Sequence, residues 1–212
     1  MEEGKHKAAI HTVGASAIGR MMIRYFKAKG FKLINIVRRE ELVAELKAEG
    51  ADYVLNSKAP DFDKALKELA EKENATASFD AIGNEFTNRV LSAQPNGSTC
   101  FVYGVLEGLE VQSVNIMELF KGKKISGLLI FPYVAELKKK GLLTQYFNDV
   151  HKYLPTAFKS NILNVFPVDQ LKEALEYFNA HISQGKVLLK PNSDSNAKVC
   201  KTQKSTKRCN IF

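Results

Sequence analysis

The chain has 212 residues, 45% of them hydrophobic and 25% charged, with a formal net charge of +8. That is one sizeable soluble domain or a domain plus an extension, with no apolar run near the roughly 18 residues of a membrane span and a charged start, MEEGKHKAAI, unlike a secretory signal. Three cysteines without C-x-x-C spacing exclude a disulfide framework and predict a reduced, cytoplasmic setting, and the gathering of about half of the basic excess in residues 191–212 argues against a nucleic-acid partner.

The first element is Ala8 to Val13, an apolar run of buried-strand length. A small-residue turn, Gly14-Ala15-Ser16-Ala17-Ile18-Gly19, follows it. The next pattern is helical, with Ile18, Met21, Met22, Tyr25 and Phe26 as the expected buried stripe and Gly30 as its stop. Phe31 to Val37 reads as a second strand. A short helix lined by Leu42, Val43 and Leu46 ends at Gly50, and Asp52 to Leu55 is a third strand. Pro60-Asp61 opens a helix with Phe62, Ala65, Leu66 and Leu69 on its inner face. Ser78 to Ile82 is a fourth strand ending at Gly83, Asn84 to Ala93 a helix, and Ser98 to Tyr103 a fifth strand ending at Gly104. A looser segment leads to a sixth strand, Lys124 to Ile130, and Val134 to Leu154 is helical with a break near Gly141.

Strands alternating with helices at this spacing predict an α/β fold, a Rossmann-type doubly wound parallel sheet in the order 3-2-1-4-5-6. The expected divisions are residues 1–155 as a nucleotide-binding domain, 156–191 as a closing segment, and 192–212 as a disordered basic tail. In the closing segment Asn161 to Phe166 and Val187 to Leu189 are strand-like, flanking a helix carrying Leu171, Ala174, Leu175 and Phe178.

Gly14, Ser16 and Gly19 occupy the three positions of G-x-G-x-x-G, with Ser in the middle. The outer glycines permit a tight turn and close helix packing, and a small middle residue lets backbone approach a pyrophosphate at the helix amino terminus. The ribose-reading position, about 20 residues on at the end of the second strand, holds Arg38 and Arg39. A carboxylate there would repel a 2′-phosphate, whereas guanidinium groups bind one, so the pattern favours NADPH over NADH. Gly14-Ala15-Ser16-Ala17-Ile18 lacks the last glycine of a nucleophile elbow, which argues against a hydrolase. An S-adenosylmethionine-binding fold also uses a glycine-rich first turn, but there an acidic residue holds the ribose. The four histidines show no ligand spacing, His11 reads as a packed strand residue, and no metal site is expected.

The segments GASAIG, INIVRR, EGADYVLN, FDAIG, NGSTCFVYG, KKISGLLI, FPVDQLKEALE and GKVLLKP resemble, in order, the carboxy-terminal half of medium-chain dehydrogenases/reductases, in their zinc-free quinone oxidoreductase and enoyl reductase branch. The resemblance implies NADPH as cofactor and hydride transfer to a small quinone or enone-type acceptor. It implies nicotinamide contacts at Ile82, Gly83, Tyr103, Gly104, Ile130 and Phe131. It also implies a substrate-binding barrel ahead of the cofactor domain, on which residues 156–191 would pack as a remnant of the catalytic domain, and for which this sequence has no room before its first strand. The expectation is therefore a shortened NADPH-dependent quinone or enoyl reductase, with no catalytic acid or base assigned. The alternative is a non-catalytic NADPH-binding or interaction module, and self-association into a homo-oligomer suits either. Finally, Cys209-Asn210-Ile211-Phe212 fits a prenylation motif behind Lys201, Lys204, Lys207 and Arg208, and predicts peripheral membrane attachment.

Overall fold

A computed structural model of the protein describes residues 1 and 4–191. The basic tail and Cys209 lie outside the described residues. The chain divides into two compact units, one running to Asn161 and the other starting at Ile162.

In the first unit six strands form one sheet in the order β3-β2-β1-β4-β5-β6. They are β1 (Ala8–His11), β2 (Lys32–Val37), β3 (Tyr53–Asn56), β4 (Ala77–Asp80), β5 (Thr99–Val102) and β6 (Lys124–Gly127). Every neighbouring pair is parallel, with Ile10 opposite Ile34 on one side and Ser78 on the other. The crossovers are α1 (Ala17–Lys29), α2 (Glu41–Ala48), α3 (Phe62–Lys72), α4 (Asn84–Ala93) and a five-residue α5 (Ile116–Phe120). Two further helices, α6 (Ile130–Lys139) and α7 (Leu143–Tyr153), follow β6 and are separated at Gly141.

Alternation along the strands splits the core into two layers. Ala8, Ile10, Ile34 and Ile36 pack with Phe62, Leu66 and Val90 of α3 and α4. Ala9, Leu33 and Val37 pack with Ile23, Phe26, Leu42 and Leu46 of α1 and α2. Each such aliphatic side chain, fully buried, contributes about 1.5–3 kcal/mol relative to leaving it in water.

Three local differences from the sequence pattern have physical causes. The buried face of α1 is Gly19, Arg20, Ile23 and Phe26, while Ile18 is 51% exposed. Apolar spacing had turned the face away from Arg20 because its head is charged. In the structure its stem is buried and its guanidinium is satisfied, so the stripe rotates to include it. β6 stops at Gly127, and Ile130 and Phe131 begin α6 rather than ending the strand. The looser segment after β5 contains α5, whose Asn115 side chain accepts from the Met117 amide as an N-cap.

The second unit holds β7 (Ile162–Pro167), a 3-10 turn, α8 (Leu171–Ala180) and β8 (Lys186–Lys190). β7 and β8 pair in parallel as a two-stranded sheet, with an irregularity between Ile162 and Asn164. A helix-linked parallel pair is a small crossover unit of its own. Ala174 is the buried residue of α8, and Leu171 and Leu175 are exposed.

Candidate functional site

In a parallel sheet all strands end at the same edge, and in open α/β sheets ligands bind outside that edge where the strand order reverses, which here is between β1 and β4. The cofactor-binding residues singled out in the sequence follow the ends of β1, β2, β4, β5 and β6.

The glycine turn leaves β1 and enters α1 within a few residues. The Gly14 amide donates to Ile36 O at 2.9 Å and the Ser16 amide to Val13 O at 2.9 Å. A Cβ on Gly14 would lie 2.9 Å from the Asn35 Cβ and 3.2 Å from the Leu46 Cδ1. One on Gly19 would lie 2.2 Å from Gly14 O, so the first turn of α1 rests directly on the turn's backbone. Ser16 caps the helix, its Oγ accepting from the Gly19 amide at 3.0 Å. The amides of Ala17 and Ile18 have no acceptor within the helix, and the helix dipole adds positive charge beside them. Ala15 packs inward and its carbonyl accepts from Arg20 Nε at 3.3 Å. Arg20 then pairs with Glu45 at 2.6 Å and with Glu49, both near the end of α2. This clamp was not anticipated from sequence, since Arg20 has a surface residue's composition and its partners lie on another helix.

Arg38 and Arg39 follow β2 and are exposed. Arg38 faces Glu107 at 3.7 Å and Arg39 faces Glu41 at 3.4 Å. Exposed pairs of this kind are worth about 0–1 kcal/mol, so neither arginine is committed against a phosphate dianion.

At the end of β4 the wholly buried Asp80 carboxylate collects four donors. Oδ1 accepts from Thr12 Oγ1 at 2.8 Å and the Ile82 amide at 2.9 Å. Oδ2 accepts from Thr87 Oγ1 at 2.5 Å and the Gly83 amide at 3.2 Å. Thr12 in turn accepts from the Ala81 amide at 3.1 Å, which ties the exit of β1 to the exit of β4. Ile82 and Gly83 are buried beneath the segment leaving β5. The Leu106 and Glu107 amides donate to Ala81 O and Ile82 O at 3.0 and 2.9 Å, and the Asn84 amide donates to Glu110 O at 2.8 Å. Gly83 has a φ of 80°, and a Cβ there would sit 2.9 Å from Gly108 O. Glycine is thus required twice over at that position, by conformation and by space.

Tyr103 closes β5, its amide donating to Asp80 O at 2.8 Å. Its hydroxyl lies 2.6 Å from Nε2 of the fully buried His11, and the two rings stack at 5.9 Å, 12° from parallel. Burial pushes the phenol up to about 12, with the Asp80 charge adding to it, and holds His11 down to about 3. Gly104 packs against Ala81, where a Cβ would approach to 2.9 Å. Ile130 and Phe131 occupy the first turn of α6 with their side chains exposed. The turn, the exits of β2, β4 and β5 and their residues are thus cross-linked by hydrogen bonds or an ion pair, and Ile130 and Phe131 are not among those linked. Among the described residues no group of three or more His, Cys, Asp or Glu could hold a metal ion.

The profile of a family described as zinc-binding dehydrogenase matches residues 17–141. The chain is 27% identical to prostaglandin reductase 1 of Bos taurus over 138 residues, 62% of this chain and 42% of that protein. It is 30% identical over 95 residues to the mitochondrial enoyl-[acyl-carrier-protein] reductase of Caenorhabditis elegans, 42% of this chain and 27% of that one. A solved structure described as an NADPH:quinone reductase from Mesorhizobium loti aligns with a TM-score of 0.76 at 28% identity, covering 90% of this chain and 55% of the other. A 2-haloacrylate reductase aligns with a TM-score of 0.75 at 17% identity, which speaks to fold alone. The chain spans just over half the length of the structural relatives and less than half of the curated ones.

Proposed function

The chain belongs to the zinc-binding dehydrogenase family, as its nicotinamide-nucleotide-binding half, and on that premise we propose that it binds NADPH at the carboxyl edge of its sheet and serves reduction of a quinone or enone-type double bond. The observation that carries this reading is the glycine turn, where neither Gly14 nor Gly19 has room for a Cβ and α1 begins directly after β1 with Ser16 as its cap.

The residues fit the group in three places. Backbone amides at Ala17 and Ile18 suit a pyrophosphate. Arg38 and Arg39 suit a 2′-phosphate through charge-assisted bonds. Tyr103 and Gly104, at the end of β5, line the side toward which the other half of a dinucleotide extends. When bound, the dihydronicotinamide supplies a hydride. The chain's own contribution is to bind and orient: Ser16 and Arg20 stiffen the turn, and Asp80 fixes the β4 exit beside it. The metal in the family's name has no donor set among the described residues.

Calorimetry is expected to show NADPH binding more tightly than NADH, with Arg38→Asp removing most of the difference. Charge-assisted bonds of about 1.5–3 kcal/mol put that loss at roughly 10- to 100-fold. Equal affinities for the two nucleotides would overturn the cofactor assignment. Oxidation of NADPH in the presence of quinones or enones tests turnover separately, and binding without oxidation would leave the chain a nucleotide-binding module.

A further inference from the structure

His11 ends β1 immediately before the glycine turn and is fully buried. Its Nε2 meets the Tyr103 hydroxyl at 2.6 Å, while its Nδ1 has no hydrogen-bond partner among the described residues. Burial keeps the imidazole neutral, so it carries one N–H, and the phenol keeps its proton as well.

Two arrangements of those protons are open. With the imidazole proton on Nδ1, Tyr103 donates to Nε2 and an N–H group is stranded in the core. With it on Nε2, the ring donates to Tyr103 and only a lone pair at Nδ1 goes unused. Stranded buried donors are the rarer and costlier of the two defects. The second arrangement leaves the phenol hydrogen unspent on a side chain that is only partly buried.

Strand order says which half of a bound dinucleotide would lie on the side of Tyr103. Arg38 lies beyond β2 and Tyr103 beyond β5, on opposite sides of the turn between β1 and α1. A dinucleotide whose phosphorylated ribose sits at Arg38 and whose pyrophosphate crosses the turn extends its other half toward β4 and β5. We propose that His11 is a positioning residue that, by donating from Nε2, turns the Tyr103 hydroxyl into a hydrogen-bond donor for an oxygen on the nicotinamide half of the bound cofactor. This deepens, and rests on, the NADPH assignment above.

The tautomer can be read without any variant. Nitrogen-15 shifts of His11 in the intact chain are expected to show Nε2 protonated and Nδ1 bare, and a protonated Nδ1 would overturn the proposal. Tyr103→Phe is expected to weaken NADPH about three- to tenfold, one hydrogen bond's worth, and to leave adenosine 2′,5′-bisphosphate unchanged. Unchanged NADPH affinity, or equal loss for both ligands, counts against it. His11→Leu should cost NADPH as much as Tyr103→Phe, with no further loss in the double variant, whereas His11→Gln, which keeps an N–H donor, restores binding. Additive losses would mean that His11 acts only through packing. If His11→Leu does not fold, the tautomer and Tyr103→Phe still decide the matter. An unmodified chain that binds neither nucleotide removes the NADPH assignment itself, a result distinct from any failure confined to Tyr103 or His11.

Discussion

At His11 the core holds a side chain that the unfolded chain would protonate below its ordinary value of 6.5, while the folded chain refuses the proton down to about 3. Its contribution to stability is therefore complete above about 6.5 and is lost progressively as the pH falls toward 3. Linkage sets the size: one extra proton on the unfolded state weakens the folding equilibrium tenfold per pH unit across that window. Chemical denaturation at a series of pH values is expected to show His11→Gln with a shallower acid dependence than the parent, by that slope. Matching slopes would mean that the ring titrates normally. The sequence placed His11 correctly in a strand but could not name Tyr103 as its partner, because the contact spans β1 to β5. Asp80 was hidden for a similar reason. FDAIG reads as a strand end, and nothing local announces that Thr12 and Thr87 will complete the carboxylate's shell.

Among the elements, the turn between β1 and α1 was the most legible, because the spacing of small residues is itself the structural requirement. Gly19 bears this out: its α-carbon sits so close to Gly14 O and Val13 O that any side chain must push backbone apart. Gly19→Ala is expected to destabilise the chain by about 1–3 kcal/mol, the range for overpacking, and to weaken nucleotide binding further by opening the turn. A thermal melt paired with calorimetry would check both, and an unchanged melting temperature would contradict the packing argument. The face of α1 was less legible. Periodicity counts Arg20 as polar, yet Arg20 joins Ala15 O to Glu45 and Glu49 and so couples α1 to α2 behind the turn. Arg20→Ala should cost about 1–3 kcal/mol, reflecting charge-assisted bonds whose acceptors are left partly in water. Boundaries at β6 were the least legible, since Leu128 to Phe131 is apolar enough for either a strand or a helix.

For the whole molecule, alternation of strand and helix was enough to obtain the sheet and its order, and the parallel pairing within the second unit was not foreseen. What composition does not convey is where the apolar surface goes. In the first unit Leu109 is 89% exposed and Phe131 85%, with Leu106, Phe120 and Leu129 also open. Native chain is expected to bind an apolar-surface dye, and Leu129→Ser with Phe131→Ser to reduce the signal, measured by fluorescence below the unfolding transition. Undiminished dye binding would place the accessible surface elsewhere. The parallel pairing also governs the order of assembly. Among the described residues no strand meets its partner through a hairpin, so each pairing waits for a helix to be made in between. During synthesis β1 can gain β2 and then β3 on one side, while its other edge stays bare until Ala77–Phe79 emerges. The strand that leads into the glycine turn is thus the first of the sheet to be made yet is enclosed only after β2, and the nascent chain carries an open backbone edge at its future centre until β4 has been made.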